Sequence, residues 1–211
     1  MQIRKSRVCA MLGLLGFALL PLGICSLPLT VPHLRACGPW VRAARARLRG
    51  AVYVGEAGVV LQARSNDCGA ACLKMILASH GIERSLAELT HRLGTTAKGT
   101  SMLQLRLTSA ALGLPARSWA ISEEDLRRAP LPLIALVNGN HFVVVRRFVA
   151  PETLEVDDPA LGKVRWPVRS FQRTWPGAAL IFDPAWSPSR ISSNTALIQP
   201  KQQPSERSEH R

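Results

Sequence analysis

From residue 68 onward the apolar positions recur at helical spacing, and after residue 132 they close up into short runs. Ala71, Leu73, Met75, Ile76 and Leu77 follow Cys68 and predict a helix that stops at His80-Gly81, with Asp67 or Asn66 as its cap. Ser85-Leu-Ala-Glu88 has the form of a capping box and opens a second short helix through Leu93. A third runs from Ser101 to Leu112, with Met102, Leu105 and Ala110 on one face and Gly113 after its end. Ser122-Glu-Glu-Asp125 starts a fourth, which must finish before Pro130. The period then changes. Residues 133–137 and 141–145 are apolar runs rich in β-branched side chains, separated by Asn138-Gly139-Asn140, and predict a hairpin. Residues 154–156, 162–166 and 178–182 complete an antiparallel sheet. Helices followed by strands define an α+β domain, N-terminal helices packed on a C-terminal sheet, over residues 56–184.

The flanks have other patterns. Residues 8–31 are uncharged and follow Arg4, Lys5 and Arg7. The run is long enough for a bilayer, which takes about 20 residues, and long for the apolar part of a cleaved leader, about 7–15 residues. Residues 1–35 are therefore expected to be a signal peptide or signal anchor. Ala44-Arg-Ala46 has the shape of a cleavage site but lies far downstream, and Leu22-Gly-Ile-Cys25 is a poor lipoprotein box because Ile24 is bulky. Five arginines after the run favour a cytoplasmic domain by the positive-inside count. The basic start favours export, and the expectation is a membrane-anchored or exported protein on the periplasmic side. Residues 36–55 read as a basic linker, and residues 185–211 as a disordered tail rich in Ser, Pro, Gln and Arg.

Charge narrows the function classes. The chain of 211 residues carries a net charge of +13. Residues 1–50 hold eight Lys/Arg and no Asp/Glu, whereas residues 51–184 hold fifteen against twelve. A domain that reads phosphates would carry the excess on its own surface, so no nucleic-acid partner is expected. The five cysteines form no disulfide framework, since Cys68 and Cys72 share a helix and the count is odd. Cys68, Cys72 and His80 lack a second ligand pair, so no metal is expected, nor any cofactor.

The chemistry gathers on four residues. A thiolate is the reactive form of cysteine, and a helix N-terminus favours it, so Cys68 is the candidate nucleophile. Gly69 beside it leaves room for a substrate backbone. His141, at the start of the strand after the hairpin, is the candidate base. Asp158, in Asp157-Asp158-Pro159, is the candidate to hold the imidazole, with Asp157 as its competitor. Gln62 can supply an amide for a developing oxyanion. Cys72 reads as core packing, and His80 and His91 as helix-end residues.

These motifs, Gln62-x-x-x-x-Asp67-Cys68-Gly69-x-Ala71-Cys72-Leu73, the turn bounded by Gly94 and Gly99, Ala111-Leu-Gly113-Leu, His141-Phe-Val-Val-Val and Asp158-Pro159-Ala-x-Gly162, resemble those of the bacteriocin-processing peptidases that cut double-glycine leaders. The resemblance spans residues 61–182. It implies a papain-like cysteine peptidase fold, with Cys68 as nucleophile, His141 as base, Asp158 as orienter and Gln62 in the oxyanion hole. It also implies a peptide or protein substrate cut after a Gly-Gly-like pair. Many such peptidases are domains of peptide-exporting ABC transporters. This sequence has no multispan region and no P-loop, so no ATP is expected, and the reading is a free-standing accessory to a secretion machinery. The competing readings are a peptide-binding module that does not cut and an amidase for non-peptide amides.

Overall fold

The computed structural model describes residues 38–189. The signal peptide or anchor expected for residues 1–35, and the tail from residue 190, lie outside the described residues. Among the described residues no helix is long and apolar enough to cross a membrane.

The chain begins with α1 (Gly38–Leu48) and β1 (Val52–Gly55), followed by three helices, α2 (Cys68–Ser79), α3 (Leu86–Arg92) and α4 (Met102–Ala111). Then come β2 (Arg117–Ala120), α5 (Glu123–Arg128), β3 (Leu133–Val137), β4 (His141–Ala150) and β5 (Thr153–Asp158). The last elements are β6 (Gly162–Pro167), α6 (Val168–Gln172) and β7 (Ala178–Ile181). The strands form one antiparallel sheet in the order β1-β6-β5-β4-β3-β7-β2.

Successive strand residues point to opposite faces, and both faces are covered. Ile134, Phe142, Val144 and Leu180 face a core shared with α2, α3 and α4. Leu133, Ala135, Val143, Val145, Val156 and Trp166 face a second core with α1, α5 and α6. That is why residues 133–137 are apolar without alternation: both sides of β3 are buried. The expected layer of N-terminal helices is there, and a second layer lies behind the sheet. It holds an aromatic row in which Trp166 meets Phe171 edge-on at 5.4 Å and Phe171 meets Trp175 at 5.3 Å. Each such side chain removed from water contributes about 1.5–3 kcal/mol.

Residues 36–55 differ from the linker expected of them, because they carry α1 and the sheet's edge strand. Ala46 and Ala51 are buried in the second core. Two arginines of this segment are ion-paired, Arg42 with Glu56 and Arg49 with Asp158. Residues 185–189, expected as the start of a disordered tail, are tied to the domain at Ser189, whose N–H and hydroxyl donate to Asp125 at 3.0 and 2.6 Å. Asp125 in turn completes a capping box with Ser122 at the start of α5.

Helix caps follow the sequence in part. Ser101 and Gln104 form a full capping box on α4. Ser85 caps α3 by accepting from the Glu88 N–H, but the Glu88 carboxylate turns to Arg84 and Arg92. At α2 the expected side-chain cap is absent. Asp67 occupies the cap position, yet its carboxylate accepts from the Arg64 N–H at 3.1 Å and buttresses the preceding turn. Asn66 donates instead to the Thr96 carbonyl at 2.7 Å, tying the 94–99 turn to the start of α2.

Candidate active site

Three elements bring the candidate residues together. The Cys68 thiol starts α2, whose first turn packs on β4 through Gly69. A Cβ on Gly69 would lie 3.3 Å from Thr100, 3.4 Å from Phe142 and 3.6 Å from Leu105. Gly69 therefore serves close helix-to-strand packing, and the space beside it is filled by protein, contrary to the expectation that it clears room for substrate. The hairpin loop at residues 138–140, with Asn138 at φ 53° and Val137 paired to His141, sets the imidazole at the first position of β4. Antiparallel pairing of β4 with β5 carries Asp158 to the same end of the sheet.

His141 Nε2 lies 2.8 Å from Asp158 Oδ1, which also accepts from the Ala160 N–H at 2.7 Å. The Cys68 thiol lies beside the ring, close enough for each group to shift the titration of the other. With Nε2 taken by the carboxylate, Nδ1 is the nitrogen left for sulfur. Cys68 is 5% exposed and Asp158 fully buried. Burial opposes the Cys68 thiolate. The His141 hydrogen bond, the Phe142 N–H, the imidazolium charge and the Gly69 N–H outweigh it, and the thiol sits below its ordinary range. Burial likewise opposes the His141 cation, but hydrogen bonds and charges from Asp158 and Cys68 push the ring up to about 9. A lowered thiol beside a raised imidazole is the signature of a thiolate–imidazolium pair.

Asp157 faces away from this site, bound to Arg146 and, at 3.1 Å, to Lys163. Cys72 is fully buried one turn along α2, and its burial pushes the thiol well up. Gln62 is fixed at both ends: its backbone N–H donates to the Pro159 carbonyl at 2.9 Å, and its side-chain amide donates to the Arg64 carbonyl at 2.9 Å. One amide hydrogen is thus spent within its own loop, and no hydrogen bond joins Gln62 to Cys68. His80 bonds the Ile76 carbonyl at the end of α2, a helix-end role. Among the described residues no group of acidic, His or Cys side chains could hold a metal ion.

Cys68 opens into a cleft of about 470 Å³ whose walls include Asn66, Lys98, Thr100, Gly139, Asn140 and Phe142. A larger depression of about 620 Å³ lies on the α3 side, lined by Leu86, Ala87, Thr90 and Asp67 but not by the thiol. Two features were not legible in sequence. The influence of the Phe142 N–H on the Cys68 thiol carries no side-chain signal, and Arg49, whose guanidinium lies 3.1 Å from Asp158 Oδ2, is 109 residues away in the chain.

Known proteins resemble this chain in sequence and in fold. The chain is 33% identical over 132 residues to the lactococcin-G-processing and transport ATP-binding protein LagD of Lactococcus lactis subsp. lactis, spanning 60% of this chain and 19% of that one. It is 30% identical over 131 residues to an uncharacterized protein of Methanothermobacter marburgensis, 62% of this chain and 92% of that one. The structure superposes with TM-score 0.58 and 32% identity on a double glycine motif protease from an AMS/PCAT transporter, solved in complex with the leader peptide. That match covers 60% of this chain and 90% of the other. Residues 56–187 match the Peptidase C39 family, and the chain belongs to it.

Proposed function

We propose that this protein is an active cysteine endopeptidase that cuts a peptide or protein after a Gly-Gly-like pair of small residues. The observation that carries the reading is the Cys68 thiol beside an imidazole that is itself 2.8 Å from a buried carboxylate. The Cys68 thiolate attacks the scissile carbonyl carbon, forming the C–S bond and moving the carbonyl electron pair onto oxygen. The backbone N–H of Cys68, free of an intrahelical partner at the first turn of α2, and the second amide hydrogen of Gln62 stabilise that oxyanion. The His141 imidazolium gives its proton to the amine nitrogen as the C–N bond breaks. Neutral His141 then takes a proton from water, whose oxygen attacks the thioester and releases the acid and Cys68. Asp158 keeps the ring oriented through both steps.

The Gly-Gly preference is supported by the likeness to a double glycine motif protease. Phe142, Leu136 and Met102 give the cleft apolar walls beside Cys68, which suits small, uncharged residues at the cut. The depression on the α3 side offers a seat for a more distant part of the same peptide. The basic start and apolar run of residues 1–35 support an exported or membrane-tethered enzyme acting beside a secretion machinery. Recovery of the whole chain in the cytosolic fraction would end that part of the reading.

The test is cleavage of a peptide library carrying Gly-Gly pairs by the full-length protein, with Cys68→Ala as control. Cutting after the pair, abolished in the variant and by iodoacetamide, is the expected result. Intact peptides that bind wild type and variant equally would instead make this a binding module.

A further inference from the structure

We infer that Arg49, supplied by a segment ahead of the family-matched residues 56–187, is a positioning residue for the Cys68–His141–Asp158 site. This rests on the cysteine-peptidase reading and adds to it a residue from outside the shared domain.

The Asp158 carboxylate is fully buried and uses both oxygens. Oδ1 accepts from His141 and from the Ala160 N–H, and Oδ2 meets Arg49 Nη1 at 3.1 Å. A buried carboxylate with one bare oxygen is costly and free to rotate its other oxygen away from the ring. Arg49 removes both liabilities. Its donor occupies Oδ2 and fixes the carboxylate plane, so that Oδ1 stays on Nε2.

The launch point of this arginine is built with care. Arg49 directly follows Leu48, the last residue of α1, and the helix ends in a Schellman motif around it. The Gly50 N–H donates to the Arg47 carbonyl and the Ala51 N–H to the Ala46 carbonyl, both at 2.9 Å. Gly50 adopts φ +71°, and a Cβ there would lie 2.9 Å from Ser170 Oγ. Ala46 and Ala51 are 0% and 2% exposed, so the turn is clamped on both sides. The ion pair between Arg42 and Glu56 ties the middle of α1 to the loop after β1. A solvated surface arginine has no need of such a mount.

Arg49 also enters the electrostatics of the site. The charged and titratable groups around Asp158 are His141 from β4, Cys68 and Cys72 from α2, and Arg49 from α1; Asp157 lies beyond them with Arg146 and Lys163. Arg49 is the cation that touches the orienting carboxylate directly. Its loss takes positive charge from the neighbourhood of the thiolate, so thiolate formation moves to higher pH.

The experiment uses the full-length protein and follows iodoacetamide labelling of Cys68 against pH by peptide mapping, alongside kcat and KM on the Gly-Gly peptide. Arg49→Gln should raise the labelling midpoint by roughly 0.5–1 pH unit and lower kcat by roughly 10- to 100-fold with KM little changed. Arg49→Lys should keep the midpoint within about 0.3 units but lose several-fold in kcat, because an ammonium on a shorter, unbranched stem does not set its donor where Nη1 stands against Oδ2. A folded Arg49→Gln protein with the wild-type midpoint overturns the inference. Should Arg49→Gln fail to fold, Arg49→Lys decides alone, and wild-type kcat in that variant overturns it equally. A wild-type protein with no lowered midpoint at Cys68 would sink the peptidase reading itself, a result distinguishable from either.

Discussion

Asp157 and Asp158 are neighbours on β5 whose carboxylates serve opposite faces of the sheet. Asp157 points to the side of Val144, where Arg146 and Lys163 hold it, while Asp158 points to His141 and Arg49. The period of two along a strand makes the two residues chemically unlike although they are identical in kind.

Substitution at the two positions should therefore separate activity from stability. Asp158→Asn should cut kcat by roughly 10- to 1000-fold, because the amide cannot stabilise the imidazolium. Asp157→Asn should leave kcat within a few-fold and lower the urea midpoint, since Arg146 and Lys163 lose their shared carboxylate. Equal losses of kcat in both variants would contradict the facing seen here.

Gln62 has one amide hydrogen committed to the Arg64 carbonyl. If its other hydrogen meets the oxyanion, Gln62→Ala should reduce kcat by roughly 100- to 1000-fold with KM nearly unchanged. Because the contact from Gln62 to Pro159 is made by backbone, the loop itself should survive, and circular dichroism should match wild type. A variant that turns over at the wild-type rate would remove Gln62 from the mechanism.

The pH dependence follows from the coupled pair. Activity should rise on the acid side as the lowered Cys68 thiol ionises and fall on the basic side near pH 9 as His141 loses its proton. Stability has a definite sign as well. The folded value of His141, about 9, exceeds its ordinary 6.5. Its contribution is complete below about 6.5 and is lost as pH rises through about 9. The melting-temperature advantage of wild type over His141→Gln should shrink across that interval. A constant difference would show that the histidine does not gain its proton from folding.

The two helical cysteines should differ sharply in reactivity. In the native protein iodoacetamide should label Cys68 and spare Cys72, whose thiol is fully buried and raised. In urea both should label at similar rates. Cys72→Ala should retain activity at a stability cost of about 1 kcal/mol from the small cavity left in the core.

Much of this was legible because local chemistry and tertiary packing agree. Asn138-Gly139-Asn140 between two β-branched runs forms the hairpin, and Ser101 and Ser122 cap the helices they precede. The missed elements break the usual patterns. Helix α1 turns Trp40 and Leu48, 79% and 86% exposed, outward and directs Arg42 and Arg49 to carboxylates, so its apolar positions mark the wrong face. Strand β2 has only four residues, and α6 has five and begins after Pro167. Gln62, Cys68, His141 and Asp158 could be named from motif and spacing. Asp158 could not be separated from Asp157 on residue type, because facing depends on register. Arg49 was beyond reach, since no local signal joins residues 49 and 158.

Register has a final consequence. Pairing of β4 with β5 slips by one residue between Val145 and Arg147 and again between Phe148 and Ala150, so β4 spends two more residues than its partner on the way to the turn. Each bulge reverses which face the next β4 side chain takes, and two together restore it. The meeting of His141 with Asp158 thus obeys an arithmetic of odd and even. Losing one residue from β4 between the bulges and the turn would bring a different carboxylate toward the ring, with every atom of the active site still encoded. Length changes in this distant hairpin should be tolerated in pairs.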